Sequence, residues 1–309
     1  MEPMRAVKST LSQEDPPAAS APGRPAEIEE TTNRRLVHPL SRALVDRLIR
    51  SPVTPNQVSV SSVLAAAAGA ACYLWLAWPW GAFCGLACWF VWHVLDGADG
   101  DLARRTGRAS PFGELVDGVC DHASQALLYL AFAIILQRSL GGWAWALAAA
   151  GALSHFAQAN AYETGRKTYR RWVYGAAWMR QDLERLSPVQ RVLGRLYMAI
   201  SNLVSPGERE LEAAMAPLIA TGGQSAQRAA SLYRDQQAPL VRRGAILSGN
   251  ARTIAAFLSM LAGGPLWFFL YEIVVLNLAL AVVVIWRGRR NRELAAMLLA
   301  GDQAASAPN

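Results

Sequence analysis

The chain has 309 residues, of which 53% are hydrophobic and only 17% are charged. Soluble globular domains carry roughly 25% charged residues, so this composition excludes an ordinary pair of soluble domains. The net charge of +7 does not indicate a nucleic-acid partner, because long uncharged stretches separate the Lys and Arg residues, as they do in membrane proteins with basic cytoplasmic segments.

The N-terminal region divides into a polar tail and an amphipathic segment. Residues 1–34 are rich in Pro, Ala, Ser and Glu and have few large apolar side chains, so they are predicted to form a disordered tail. Residues 38–50 place Leu40, Leu44 and Leu48 on one helical face and charged residues on the other. This pattern predicts an interfacial amphipathic helix on the bilayer surface.

Apolar stretches of near-bilayer length follow, since a membrane helix needs roughly 20 residues. The loops after the first, third and fifth stretches hold a single cation, Arg138, whereas the opposite loops are rich in Arg and Lys. The positive-inside bias therefore predicts that both termini face the cytoplasm. The Ala- and Arg-rich composition favours a bacterial inner membrane. The predicted fold class is an all-α integral membrane protein with six transmembrane helices, at 57–78, 80–98, 113–137, 142–162, 247–264 and 266–286.

A long segment separates the fourth and fifth predicted spans. Apolar residues recur in it at helical spacing between 189 and 203, which predicts a second interfacial helix. The chain is accordingly divided after the tail into an interfacial helix with four spans (35–163), a cytoplasmic or interfacial helical insertion (164–246), two further spans (247–287) and a cytoplasmic C-terminal tail (288–309).

Two pairs of aspartates lie at the junction of the second and third predicted spans. Asp96 and Asp99 are three residues apart, and Asp117 and Asp121 are four apart, so each pair shares one face of its helix. The linker between the helices is short, so the helices must run antiparallel with their cytoplasmic ends adjacent. Four carboxylates are therefore predicted to converge near the membrane surface.

Such a cluster requires a counter-charge. Carboxylates near the bilayer cost several kcal/mol each, and neighbouring like charges raise that cost. Mg²⁺ takes oxygen ligands and is typically shared between carboxylates and phosphates, and two such ions can clamp a phosphoryl centre. We therefore predict that Asp96, Asp99, Asp117 and Asp121 hold Mg²⁺ or Mn²⁺, as two ions.

Small residues continue both acidic faces. Gly100 and Ala103 follow the first pair, and Gly113 precedes the second. Their missing side chains leave room for a flat or bulky ligand against the backbone. Arg104 adds a forked donor suited to phosphate oxygens.

The combined pattern, D-x2-D-G-x2-A-R-x8-G-x3-D-x3-D, resembles the signature of the CDP-alcohol phosphotransferase (CDP-alcohol phosphatidyltransferase) family. The Thr54-Pro55-Asn56 turn and the span layout are also similar to this family. The signature positions are filled by Asp96, Asp99, Gly100, Ala103, Arg104, Gly113, Asp117 and Asp121.

The resemblance implies transfer of a substituted phosphate from a CDP-linked donor to an alcohol, with release of CMP. It also implies that Asp96, Asp99 and Asp117 ligate metal, and that Asp121 completes the metal site and acts as general base on the attacking hydroxyl. A homodimer is implied as well. The nucleotide site implied by the resemblance consists of Asp99, Gly100, Ala103, Arg104 and Gly113.

The acceptor pocket is predicted from polar residues at the cytoplasmic ends of later spans. Arg166 and Arg170 leave span four, and Asn250 and Arg252 open span five. They could bind a phosphorylated acceptor. Anchoring of the arginines to anionic lipid headgroups is the alternative for the first pair.

The first functional hypothesis is transfer of a phosphatidyl group from CDP-diacylglycerol to a small alcohol, within phospholipid biosynthesis. The alternative within the family is transfer of phosphocholine or phosphoethanolamine from a soluble CDP-alcohol to a lipid alcohol. An intramembrane prenyltransferase is disfavoured because it is expected to have two separate acidic motifs. A divalent-cation transporter is disfavoured because the spans have few polar residues beyond their cytoplasmic ends.

Overall fold

The computed structural model describes residues 25–176 and 203–306, and within these ranges the chain is helical without strands. The predicted all-α fold is thus confirmed for the described residues. The helices are α1 His38–Leu48, α2 Pro55–Trp75, α3 Trp80–Arg105, α4 Pro111–Leu140, α5 Trp143–Tyr174, α6 Glu208–Thr221, α7 Gly223–Arg243, α8 Gly249–Leu261, α9 Leu266–Leu270 and α10 Leu276–Ser306.

Local sequence signals determine where α2 and α4, two helices at the aspartate signature, begin. Thr54 forms a capping box with Gln57 at the start of α2, in which each side chain accepts a hydrogen bond from the other residue's backbone N–H. Ser110 caps α4, and its Oγ accepts a hydrogen bond from the Gly113 N–H at 3.0 Å. Between α3 and α4, Gly107 adopts a φ of +66°, which glycine tolerates without a Cβ clash. The short connection therefore reverses the chain direction between the two aspartate pairs of the signature.

Four helical segments of the described chain are long and apolar enough to cross a membrane: Pro55–Trp75, Trp80–Arg105, Leu115–Leu140 and Leu266–Ala300. The structure is thus consistent with a multi-pass membrane protein. The predicted spans at 142–162 and 247–264 correspond to α5 and α8, which are not among the four. Helix α5 carries polar residues that are buried inside the bundle, including Gln158 and Asn160, and α8 has only 13 residues.

Two apolar clusters organise the fold. The first lies in the bundle and contains an aromatic group in which the Phe132 and Phe268 rings meet edge-on at 5.2 Å. The second joins the end of α5 to α6, α7 and α10 through Tyr169, Leu211 and Tyr233. The described part of the predicted insertion is therefore helical and packs around a second core that it shares with Ile28 and with Leu294 of α10. Residues 189–202 of the predicted second interfacial helix lie outside the described residues.

The described segments nearest the two termini pack against the helices. Residues 25–34, assigned to a disordered tail, pack on the helices, and Ile28 is fully buried in the second cluster. At the other end, residues 288–306 continue α10 without a break, and Leu294 and Leu298 are buried. Residues 25–34 contact residues more than a hundred positions further along the chain, and residues 288–306 contact helices that lie several elements earlier. Local composition therefore does not reveal these contacts.

Candidate active site

A cavity of about 860 Å³ lies between α2, α3, α4, α5 and the start of α8. We call it the aspartate cavity. The residues predicted from the sequence to form the metal, nucleotide and acceptor sites all line it: Asp96, Asp99, Gly100, Ala103, Arg104, Gly113, Asp117, Asp121, Arg166, Arg170, Asn250 and Arg252.

Three carboxylates approach one another at its centre. One oxygen from each of Asp96, Asp117 and Asp121 lies within 4.8 Å of the other two. The side chains are half-buried, and Asp121 Oδ1 is buried without a hydrogen-bond partner in the described part of the chain. An orphaned carboxylate oxygen among like charges is costly unless a cation joins it. The donor set, three carboxylates supplying oxygen ligands, fits Mg²⁺ or Mn²⁺.

The fourth aspartate has a different environment. Asp99 is 4% exposed, and its Oδ2 accepts a hydrogen bond from Ser59 Oγ of α2 at 2.6 Å. Its Oδ1 accepts from the Gly100 N–H at 2.5 Å. Asp99 is thus oriented by a neighbouring helix, outside the group of three. Ser59 is not among the residues predicted from the sequence, although a serine in an apolar span is a signal for a buried polar partner.

The two signature glycines lie beside polar side chains at the cavity wall and not against packed apolar neighbours. A Cβ on Gly100 would lie 3.3 Å from the flexible end of Arg104, and one on Gly113 would lie 3.3 Å from Ser110 Oγ. By contrast, a Cβ on Gly85 would lie 2.4 Å from the Tyr73 ring, so that glycine serves helix packing. The absence of side chains at 100 and 113 therefore enlarges the cavity, as expected of a ligand site.

This contrast gives a prediction. Gly100→Val should leave the free energy of unfolding nearly unchanged but raise the KM for the CDP-linked donor between about fivefold and a hundredfold, because overpacking a filled site costs about 1–3 kcal/mol. Gly85→Val should lower the free energy of unfolding, because the Tyr73 ring occupies the space that the valine side chain would need. Unfolding in mixed detergent micelles and donor-dependent CMP release measure the two effects. An unchanged donor KM in a folded Gly100→Val protein would remove Gly100 from the nucleotide site.

A second prediction concerns the metal. Saturating Mn²⁺ should stabilise the purified protein by about 2.7 kcal/mol at a concentration 100 times Kd, since it binds only the folded state. Asp117→Asn should abolish this stabilisation. Asp101→Asn is the matched control, because Asp101 pairs with Arg104 at 3.5 Å and does not line the cavity. The stabilisation is measured by calorimetry. Equal stabilisation of the wild-type protein, Asp117→Asn and Asp101→Asn by Mn²⁺ would refute the metal site.

The predicted acceptor residues on α5 are held by neighbours on the same helix. Arg166 Nη1 donates to Glu163 Oε1 at 2.8 Å, and the Arg166 guanidinium lies 5.6 Å from the centre of the Tyr162 ring. Arg170 also lines the cavity. These cations face the same space as the carboxylates, which suits a ligand that bears phosphate.

The two predicted acceptor residues near α8 are engaged by protein partners. Arg252 is 2% exposed and donates from Nε to Glu272 Oε1 at 3.0 Å. It also donates from Nη2 to Gln158 Oε1 at 2.6 Å, and from Nη1 to the backbone oxygens of Leu247 and Ser248. A guanidinium has five N–H donors, so four are used inside the protein. Arg252 therefore has a structural partner, Glu272, which is not among the residues predicted from the sequence.

Comparison with known proteins agrees with this site. Residues 52–205 match the model of the family described as CDP-alcohol phosphatidyltransferase. A protein of Dictyostelium discoideum named "Uncharacterized CDP-alcohol phosphatidyltransferase class-I family protein 2" is 45% identical over 51 residues. That match covers 16% of this chain and 12% of the relative's length.

The family model spans the complete aspartate signature and the cationic end of α5, whereas Asn250 and Arg252 lie beyond it. The family is a group of transferases of substituted phosphate groups. The three converging carboxylates and the two signature glycines lie inside the matched range. Through residues 52–205, the chain belongs to the CDP-alcohol phosphatidyltransferase family.

Proposed function

We propose that this protein is a divalent-metal-dependent membrane transferase that moves a phosphatidyl group from CDP-diacylglycerol to a small alcohol and releases CMP. The observation that carries the proposal is the convergence of Asp96, Asp117 and Asp121 in a cavity that cations also line. The family match over the same residues supports it. Two Mg²⁺ or Mn²⁺ ions held by these carboxylates are part of the proposal.

In the proposed mechanism the acceptor hydroxyl attacks the phosphorus of the transferred phosphatidyl group. The new bond joins the acceptor oxygen to phosphorus, the bond from phosphorus to the oxygen of CMP breaks, and the hydroxyl proton passes to Asp121. Arg104 would hold phosphate oxygens of the donor, while Ser59 keeps Asp99 oriented toward the cavity. A divalent ion, when bound, would neutralise charge on the transferred phosphate and on the leaving group.

The proposed membrane arrangement has six spans, with α5 and α8 as the two that hydropathy alone does not identify. Helix α5 has 32 residues, about 48 Å at 1.5 Å per residue, and its buried Gln158 donates to Asn277 of α10 at 2.8 Å. The Gln158 amide is therefore hydrogen-bonded inside the protein, as polar groups in membrane helices require. We further propose that α1 lies at the cytoplasmic interface, that both termini are cytoplasmic, and that the protein acts as a homodimer in a bacterial inner membrane.

The test is CMP release by the purified protein in detergent with Mg²⁺. CDP-diacylglycerol, CDP-choline and CDP-ethanolamine are compared as donors, each with glycerol 3-phosphate, inositol 1-phosphate, glycerol and ethanolamine, and the soluble donors also with diacylglycerol. The proposal predicts release from CDP-diacylglycerol that requires one of the small alcohols. Release only from the soluble donors with diacylglycerol would instead assign the protein to the other branch of the family.

A further inference from the structure

The segment of residues 25–37, which we call the N-terminal strap, forms part of the wall of the aspartate cavity. Glu30 and Asn33 of the strap line the cavity together with the signature aspartates. The family match begins at residue 52, so the strap is a feature of this chain that the match does not cover. Its contribution to the site therefore has to be derived from its own contacts.

Glu30 has three hydrogen-bond donors around its carboxylate. Tyr162 of α5 donates its hydroxyl to Oε1 at 3.0 Å. Ser248 Oγ and Asn250 Nδ2, at the start of α8, donate to Oε2 at 3.0 Å and 2.8 Å. The carboxylate thus joins α5 and α8 at the cavity wall.

The wall formed by Glu30 and Asn250 has more capacity left to accept hydrogen bonds than to donate them. An ionised carboxylate accepts about four hydrogen bonds, and Glu30 receives three from the described residues, with the remaining capacity on Oε1. Asn250 has two amide N–H groups, and both are used, one by Glu30 and one by Asn33 Oδ1 at 2.8 Å. This side of the cavity can therefore accept a hydrogen bond from a ligand more readily than it can donate one.

The strap is anchored so that Glu30 keeps its position. Ile28 is buried in the second apolar cluster, and Glu29 Oε1 lies 2.5 Å from His38 Nδ1. Glu27 accepts hydrogen bonds from the hydroxyls of Tyr169, at 3.0 Å, and Tyr174. Burial tends to raise the pKa of Glu27, but these hydrogen bonds outweigh burial and lower the pKa, which keeps this anchor ionised at neutral pH.

We propose that Glu30 determines specificity for the acceptor alcohol by binding a second hydrogen-bond donor on it, a hydroxyl or an ammonium group beside the attacking hydroxyl. The inference rests on the proposed function and narrows its acceptor class. A phosphate group on the acceptor would instead bind at Arg166 and Arg170, which also line the cavity, because an anion at Glu30 would be repelled. The acceptor is thus a polyol or an amino alcohol, with or without a phosphate at its other end.

The test compares Glu30→Gln with wild-type protein in acceptor-dependent CMP release from the donor that is active with wild type. Glycerol and ethanolamine carry a second donor group, and 1-propanol lacks one. Charged hydrogen bonds contribute more than neutral ones, so Glu30→Gln should reduce kcat/KM for whichever of glycerol or ethanolamine is used by wild type by about tenfold to a hundredfold. The variant should leave the residual rate with 1-propanol and the donor KM within about twofold.

Glu210→Gln is the matched control, because it removes the same charge from an exposed position on α6 that does not line the cavity. It should leave acceptor kcat/KM within about twofold. An equal loss with all three acceptors, or a parallel rise in the donor KM, would mean that Glu30 only supports the wall and would overturn the proposal. An absence of CMP release from wild-type protein with every donor and acceptor would overturn the proposed function, and the Glu30 assignment with it.

Discussion

Asp121→Asn is expected to reduce CMP release by at least about a hundredfold while leaving the fold intact. General-base catalysis contributes roughly 10² to 10⁴ in rate, and the same change removes a metal-binding oxygen. Asp121 Oδ1 is buried beside two other carboxylates and has no hydrogen-bond partner among the described residues, so removing its charge also relieves repulsion in the metal-free protein. The free energy of unfolding without metal should therefore stay the same or rise.

A lower rate of CMP release together with an unchanged or higher metal-free stability distinguishes a catalytic role of Asp121 from a structural one. The rate is followed by CMP release at saturating donor and acceptor, and stability is followed by unfolding in mixed micelles with a chelator present. Asp101→Asn, near the end of the neighbouring helix α3 and outside the cavity lining, should change neither quantity substantially. A marked loss of metal-free stability in Asp121→Asn, with a proportionate loss of rate, would contradict the assignment.

The buried ion pair of Arg252 and Glu272 is expected to have the largest effect on stability. The side chains are 2% and 0% exposed, and Nε and Oε1 are 3.0 Å apart. Removing one partner leaves an uncompensated buried charge, so Arg252→Met or Glu272→Leu should each destabilise the protein by about 3–5 kcal/mol. Both effects are measured as the shift of the unfolding midpoint in mixed micelles.

The double variant supplies the control for this pair. Arg252→Met with Glu272→Leu removes both charges, so its destabilisation should be smaller than the sum of the single effects by at least about 1 kcal/mol. Additive effects would show that the two charges do not depend on each other. Retention of stability in either single variant would mean that the pair is solvated in the membrane-embedded protein.

The parts of the site that the sequence predicts are those encoded by local spacing. Asp96, Asp117 and Asp121 lie together because residues three or four apart share a helical face and a short linker returns the chain. The caps at Thr54 and Ser110 are also local signals. For these features a single stretch of sequence contains the whole physical cause.

The parts that the sequence does not predict depend on distant partners. Ser59 meets Asp99 from 40 residues away, and Glu30 meets Tyr162 from 132 residues away. The acidic, proline-rich composition around Glu30 is typical of disordered segments, yet tyrosine hydroxyls on α5 and a buried Ile28 hold the strap in place. The average composition of a segment carries no information about such contacts with distant residues.

The same limitation applies to the membrane spans. Hydropathy treats every residue of a helix as if it faced lipid, whereas Gln158 and Arg252 bond to each other inside the bundle. Such internally paired residues lower the hydropathy of α5, whereas α8, with 13 residues, is too short to qualify by length. Four candidate spans are found among the described residues, and the assignment of α5 and α8 as two further spans stays a prediction.

The most direct test of the central proposal is the stoichiometry of the wild-type reaction. Purified protein with Mg²⁺, CDP-diacylglycerol and an active small alcohol should yield one CMP for each new phospholipid, detected together by chromatography and mass spectrometry. No CMP should form when the alcohol is left out. Release of CMP without a phospholipid product, or a folded and metal-bound protein that forms neither, would contradict the assignment of the aspartate cavity as a phosphatidyl transfer site.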